Sequence, residues 1–451
     1  AEAADAAVAR IGTVVTLPDT CVAGLVIEAI AEDLAVKREL FAGLEHVVGA
    51  DCILASNTSS LSITALGTGL KHPARVAGMH FFNPVPMMPL VEIVGGLVTD
   101  RGVGETLFAT AIAWGKTPVH AASTPGFIVN RCARPFYGEA WRLLAERAAD
   151  TATIDAVVRE AGGFRMGPFE LMDLVGHDVN LAVTESVWEA YFHDARYAPS
   201  PLQREMVAAG YLGRKTGRGL YSYGAGAARP EPRTEPAGPR PVAVTIHGEA
   251  PAVQALGARI AASGVPVAKA PDDARLGGPA LQVMGADGGA VWVAPADGRA
   301  ATARAVSAGV RDLVVFDLAL DYAKTTRLAI ARADTCDAAA GALAAGALQA
   351  AGCAVSRIDD VPGMIVLRTV AMLANEAADA VVQGVAEPAA IDLAMEKGVS
   401  YPLGPLAWAD RLGAATLAAV LGHLAAAYPG ERYRTSPLIR RRALAGGALV
   451  G

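Results

Sequence analysis

The sequence predicts an α/β fold joined to an all-α fold, and it predicts that pair twice. Three observations carry this. Short apolar runs alternate with amphipathic stretches over residues 1–122 and again over 242–352, the pattern of strands and crossover helices in a mostly parallel sheet. After Pro125 the pattern turns helical to about residue 211, and it does so again after Pro362. The halves also match each other at a constant offset of 237 residues: TPGFIVNRCARPFYGEA begins at Thr124 and VPGMIVLRTVAMLANEA at Val361. The register holds without a gap for Gly126/Gly363, Arg131/Arg368, Glu139/Glu376, Ile154/Ile391, Asp155/Asp392, Gly167/Gly404, Pro168/Pro405, Asp173/Asp410 and Gly176/Gly413. One register kept over so many positions is an internal duplication.

In the first half, CVAGLVIEAI reads as a buried strand. EDLAVKRELFAGLEHVV follows as an amphipathic helix, with Leu34, Leu40, Phe41 and Leu44 near helical spacing. DCILASNTS and RVAGMHFF are the next strands. Residues 123–223 form a first helical domain. GAGAARPEPRTEPAGPRP, 224–241, combines Pro, Gly and charge without apolar periodicity and reads as a linker. PVAVTIHG, PAVQALGARIAASG and VPVAKA restart strand, helix and strand in 242–352, and residues 353–451 form the second helical domain.

Bulk composition bounds the function. The 451 residues are 53% apolar and 19% charged, enough to pack several cores. A net charge of −6 argues against nucleic-acid or membrane-surface binding. Five scattered cysteines (Cys21, Cys52, Cys132, Cys336, Cys353) without a Cys-x-x-Cys fit reduced thiols in the cytoplasm better than a disulfide framework or a metal site. No basic stretch followed by an apolar run opens the chain. The charge-free window 338–356 is rich in Ala and Gly and poor in large apolar residues, so it reads as a buried helix running into a strand rather than a membrane span.

The segment VAGMHFFNPVPMMPLVEIV, 76–94, sets one histidine, His80, and one carboxylate, Glu92, in apolar surroundings. A carboxylate in an apolar strand needs a partner, and a His–Glu pair meets that need while fixing the ring and its tautomer. The alternative is a buried structural pair. The duplication offers a control: at the same offset His80 falls on Asp317, Glu92 on Ala329 and Asn130 on Leu367. Glycines, prolines and caps survive in both copies while these three do not, which predicts a site in the first half only. His80 ends a strand, where an open parallel sheet presents its ligand crevice. ASNTSSLSIT, 55–64, closes another strand with hydroxyl and amide groups, either ligand contacts or an ordinary N-cap run.

Six blocks, LVIEAIAEDLAVKRELF, SNTSSLSIT, GMHFFNPVPMMPLVEIV, TPGFIVNR, GPFELMDLVG and GRKTGRGLY, resemble the L-3-hydroxyacyl-CoA dehydrogenases in composition, order and spacing over nearly the whole first half. With its duplicated second half, the chain is similar to the long bacterial form, which includes 3-hydroxybutyryl-CoA and phenylacetate-pathway 3-hydroxyadipyl-CoA dehydrogenases. The resemblance implies a Rossmann-type NAD domain at 1–122, a degenerate Rossmann-like copy at 242–352, and oxidation of an acyl-CoA substrate. It implies that His80 takes the proton of the 3-hydroxyl and that Glu92 pairs with it. It implies that Ser59 and Asn130 hold the substrate's oxygens and the catalytic histidine. Glu32, Lys37, Asn83 and Lys215 match positions that contact the nicotinamide half of NAD or the acyl-CoA. No metal is implied.

The chain departs from the family at its start. A strand, a G-x-G-x-x-G turn and a helix should come first, with an acidic residue for the ribose. None is present, and LVIEAI stands where the family has a later strand. The expectation is that about 60 residues, two βα units, are absent from this sequence, and that NADH binding to the chain as written is weak. SPLIRRRALAGGALVG from Ser436 parallels SPLQREMVAAGYLGRK from Ser200, so the chain stops where the counterpart of Lys215 would fall. Two readings compete: an NAD-dependent dehydrogenase, and a non-catalytic acyl-CoA-binding or scaffold protein. The co-occurrence of His80, Glu92 and Asn130 favours the enzyme. The duplication further predicts that the two helical domains pack on each other as an intramolecular pseudo-dimer, with higher oligomers still open.

Overall fold

A computed structural model describes residues 2–20 and 22–450. Cys21, one of the five cysteines, and the terminal Ala1 and Gly451 (the position of the expected Lys215 counterpart) lie outside the described residues. The chain forms two compact units: residues up to 130 together with 384–399, and residues 131–383 together with 400–451.

The first unit is built on a five-stranded sheet in the order β1-β2-β3-β4-β5: Leu25–Glu28, Ile53–Ser56, Val76–Phe81, Leu90–Gly95 and Thr117–Ala122. All neighbours are parallel except β3 and β4, which are antiparallel. The short 82–89 connection allows this, because a parallel pair would need a long crossover. Ile53, Ala55, Ala77, Met79, Val91 and Ile93 form the core with Leu107 and Ala111 of the helix Arg101–Ala113. The helix Leu34–Val47 buries Phe41 and Leu44, and its first turn is capped by the Asp33 side chain, which accepts from the Ala35 and Val36 amides. β1 is shorter and less buried than expected; it has one neighbour in the sheet, and only Glu28 is buried.

A helix from the second copy completes this unit. Pro388–Val399 packs on β4 and β5, and the Ala122 amide donates to the Val385 carbonyl at 2.8 Å.

The second unit holds a seven-stranded sheet in the order β12-β11-β10-β9-β8-β6-β7: Ala354–Ile358, Arg327–Arg332, Leu313–Phe316, Ala290–Pro295, Ala280–Met284, Ala243–His247 and Val267–Ala270. Here the expectation of a mostly parallel sheet needs correcting. Three neighbouring pairs are parallel and three antiparallel, because β8 and β9 form a hairpin with only a short turn between them. The sheet also extends past residue 352, to β12. The charge-free window is the helix Ala338–Ala350 followed by β12. Among the described residues no helix is long and apolar enough to cross a membrane.

The presumed linker is tied down. The Glu235 amide bonds the Val355 carbonyl at 2.7 Å, and the Gly238 amide bonds Gln349 Oε1 at 2.8 Å. Gly238 and Gly346 let the two backbones touch: a Cβ on Gly346 would lie 2.0 Å from the Pro239 carbonyl oxygen. A sequence scan for apolar periodicity does not see backbone-to-backbone packing of this kind.

The duplication is visible in the contacts. Helices Arg134–Ala145 and Val366–Val382 pack together. Arg131 bonds Glu376 at 2.6 Å, and at the equivalent place Arg368 bonds Glu139 at 2.8 Å. Arg196 and the Tyr197 hydroxyl also reach Glu376, as Arg432 and the Tyr433 hydroxyl reach Glu139. Burial opposes charge on both carboxylates, but the guanidiniums outweigh it and hold each below the ordinary value of 4.5. The helix Thr151–Glu160, equivalent to Pro388–Val399, packs on β11 of this sheet, and the Asp359 amide donates to the Ala148 carbonyl at 2.9 Å. That bond is the counterpart of Ala122 to Val385. Each sheet therefore carries a helix supplied by the opposite copy.

Candidate active site

The site is built at the end of β3. His80 and Glu92 are directly opposed residues in the antiparallel β3–β4 register, so their side chains share one face of the sheet. His80 is 5% exposed and Glu92 fully buried. His80 Nδ1 and Glu92 Oε2 are 2.6 Å apart. The other carboxylate oxygen, Oε1, accepts from the Ile128 and Val129 amides, both at 3.0 Å. As a carboxylate Glu92 accepts at both oxygens, so Nδ1 of His80 is the donor, and in the neutral ring the lone pair then lies on Nε2. The rings of Phe82 and Phe127 stand 4.5 and 5.8 Å from the imidazole.

The second copy corrects the inference drawn from the duplication. Asp317, at the position of His80, accepts from the Ile365, Val366 and Leu367 amides at 2.7–3.0 Å. Ile365 and Val366 are the counterparts of Ile128 and Val129. Half of Glu92's work is therefore structural and persists in the second copy, done by a carboxylate from the neighbouring strand. What the second copy lacks is the imidazole. Burial pushes the Asp317 carboxyl up to about 6, against the pull of those amides.

A second polar cluster lies at the ends of β1 and β2. Lys37 is 1% exposed, and its ammonium sits 2.6 Å from Glu28 and 3.2 Å from Glu32. Glu28 also accepts from Ser56 Oγ and the Ile30 amide, each at 2.6 Å. Glu32 accepts from Thr58 Oγ1 at 2.6 Å, the Ser59 amide at 3.0 Å and Ser60 Oγ at 3.2 Å. Partial burial opposes its charge; the Thr58 hydroxyl, the Ser59 amide and Lys37 outweigh burial and hold Glu32 below the usual carboxylate range. Asn130 Nδ2 reaches the Ser59 carbonyl at 3.4 Å. Ser59, Asn130, Glu32 and Lys37 are thus joined by direct contacts. Asn83 is exposed on the turn after β3. Lys215 belongs to the second unit and pairs with Asp178 at 2.5 Å.

Sequence reasoning missed two residues. Glu28 anchors Lys37; the signal was a lysine on the apolar face of an amphipathic helix, which requires a buried anion. Asn57 Oδ1 accepts from the Phe81 amide at 2.8 Å and fixes the backbone next to His80. Among the described residues no three His, Cys, Asp or Glu side chains are placed to hold a metal. Among the described residues Cys52, Cys132, Cys336 and Cys353 are buried and none forms a disulfide.

The chain is similar to known proteins along nearly its whole length. Residues 1–124 match the family described as 3-hydroxyacyl-CoA dehydrogenase, NAD binding domain, and residues 126–223 and 363–448 match its C-terminal domain. Residues 293–362 match a 3-hydroxybutyryl-CoA dehydrogenase reduced Rossmann-fold domain. A 3-hydroxyadipyl-CoA dehydrogenase of Escherichia coli is 41% identical over 98% of this chain and 86% of its own length. The chain belongs to the 3-hydroxyacyl-CoA dehydrogenase family. A crystal structure titled 3-hydroxybutyryl-CoA dehydrogenase from Escherichia coli superposes with a TM-score of 0.87 at 40% identity, covering 99% of this chain and 86% of that one. Human mitochondrial hydroxyacyl-coenzyme A dehydrogenase is 43% identical over 44% of this chain and 63% of its own. The family's activity is NAD-dependent oxidation of a 3-hydroxyacyl-CoA.

The dehydrogenase's residues fit NAD at one end. Glu32, Lys37 and the Ser56–Ser59 turn gather polar groups where parallel strands end, the usual place for a nicotinamide. They do not form a pyrophosphate cradle. No G-x-G-x-x-G occurs in the 451 residues, and the helix after β1 has its first amides taken by Asp33.

Proposed function

We propose that His80 is the general base of a dehydrogenase acting on L-3-hydroxyacyl-CoA and that Glu92 orients it. The observation that carries this reading is the buried 2.6 Å Nδ1–Oε2 contact, which leaves Nε2 free at the end of a strand. Nε2 takes the proton of the substrate's 3-hydroxyl as the C3–H bond breaks, and the product is the 3-oxoacyl-CoA. NAD, when bound, supplies the acceptor for the hydride that leaves C3. Glu92 stays fixed by two amides and stabilises the imidazolium that forms. Ser59 and Asn130 hold substrate oxygens. Glu32, Lys37, Asn83 and Lys215 contact the cofactor or the acyl-CoA. The long relatives suggest a short 3-hydroxyacyl or 3-hydroxydicarboxylyl chain.

The reading extends to the rest of the molecule. We place the enzyme in the cytoplasm. We divide the chain as the sequence suggests, with the two helical domains forming an internal pseudo-dimer, for which the reciprocal Arg131–Glu376 and Arg368–Glu139 pairs are the support.

His80→Gln tests the central claim. The variant should fold, bind acyl-CoA and lose about 10²–10⁴-fold in kcat, the contribution of a positioned base. Steady-state kinetics decides, and retention of more than about a tenth of wild-type turnover would sink the assignment.

A further inference from the structure

We propose that Gly398, on the helix the second copy lends to the first unit, is a positioning residue for the His80–Glu92 pair. The proposal rests on the reading of that pair as base and orienter.

Glu92 is held from two sides. One is β4 itself, which begins at Leu90 and places Leu90 and Glu92, two residues apart, on the same face. The other is the pair of amides at Ile128 and Val129. Gly398 sits where both supports meet. A Cβ built on it would lie 2.6 Å from Leu90 Cδ2 and 3.1 Å from Val129 Cγ2. Val129 thus touches the carboxylate through its amide and the lent helix through its side chain. A bare Cα lets Pro388–Val399 press Leu90 and Val129 into place, and any side chain there must push one of them away.

The other copy shows that the fold does not demand a glycine at this position. The residue equivalent to Gly398 is Ala161, which is buried at the C-cap of the helix lent to the second sheet and accepts from the Leu320 amide at 2.8 Å through its carbonyl. That sheet has Asp317 and no imidazole to aim. The position facing it differs as well: Leu90 in the first copy corresponds to Arg327 in the second. The bare position accompanies the histidine-bearing copy.

A shift of Val129 would lengthen one of the two amide bonds to Oε1, turn the carboxylate and release Nδ1. Catalysis should fall while substrate binding changes little, since neither Gly398 nor Leu90 is placed among the substrate contacts. The whole chain lends this helix across the duplication, which gives the second copy a part in the reaction without a site of its own.

The experiment compares Gly398→Val, Gly398→Ala, Gly398→Val/Leu90→Ala and Ala161→Val in the full chain. Two readouts are used: steady-state kcat and KM for a 3-hydroxyacyl-CoA, and the low-field proton resonance of the short His80 Nδ1–Glu92 hydrogen bond in cofactor-free protein. Gly398→Val should lower kcat at least tenfold with KM within about threefold, and should lose or broaden the resonance. Gly398→Ala should show a smaller loss of the same kind, which keeps the test open if the valine variant fails to fold. Leu90→Ala in the double variant should restore both signals in part. Ala161→Val should leave kcat and the resonance unchanged. A folded Gly398→Val with wild-type kcat and resonance would overturn the proposal. Wild-type protein without turnover would remove the functional reading instead, and the resonance would still report whether Gly398 positions the pair.

Discussion

Glu92 carries two loads that a single substitution can separate. Oε2 orients His80, and Oε1 receives two buried amides. In Glu92→Gln the remaining carbonyl oxygen can keep the amides, but the NH₂ group then faces Nδ1. A donor there forces the opposite tautomer, and Nε2 holds a proton where it should hold a lone pair. Turnover should drop by roughly 10²–10⁴ while thermal unfolding stays near wild type. Glu92→Ala orphans both amides as well, so it should also lose about 2–4 kcal/mol of stability. Kinetics and urea unfolding on the two variants give the answer; equal stabilities would mean that the amide contacts contribute nothing. The polar pair was legible because charge in an apolar strand demands a partner. The amides were not, since they lie 36 and 37 residues further along the chain. Asn57 escaped for a related reason: its partner is the backbone of another strand, which leaves no mark on residue type.

At the level of elements the duplication was the strongest guide. β3, β4 and β5 start at residues 76, 90 and 117, and β10, β11 and β12 start at 313, 327 and 354, so the offset read from the helical part extends through both sheets. The helix Ala338–Ala350 and the strand after it were readable from composition alone. The antiparallel β8–β9 and β6–β8 pairings were not, because alternation of apolar residues says little about strand direction. Nor was the role of Asp317. It gathers three amides at the start of the helix Val366–Val382, doing from β10 what Glu92 does from β4. Asp317→Ala should therefore destabilise the protein by about 3 kcal/mol or more, as three buried amides lose their acceptor. Asp317→Asn, which keeps one acceptor oxygen, should lose less. Chemical denaturation measures both, and an alanine variant as stable as wild type would show that the amides find other partners.

At the scale of the whole molecule, buried ion pairs link helical residues of the two copies within the second unit, and they set its response to acid. Glu139 and Glu376 are fully buried, and each meets two arginines and a tyrosine hydroxyl contributed in equivalent fashion by the two copies. Both carboxylates have folded pKa values below 4.5. A depressed carboxylate adds stability above its unfolded pKa, and that stability is lost as pH falls through the folded value. The second unit should thus hold its stability from neutral pH to about 4.5 as far as these groups are concerned, and weaken steeply below. Glu376→Gln leaves Arg131 and Arg196 without their shared buried anion, which should cost about 3–5 kcal/mol at pH 7. Glu139→Gln does the same to Arg368 and Arg432, and the near two-fold match of the contacts requires a similar loss. Each variant should also lose less stability than wild type on going from pH 5 to pH 3, because one of the two titrating groups is gone. Urea unfolding at pH 7, 5 and 3 measures all three quantities. A large loss in one variant and none in the other would show that the two copies, despite matching geometry, do not share the load between them.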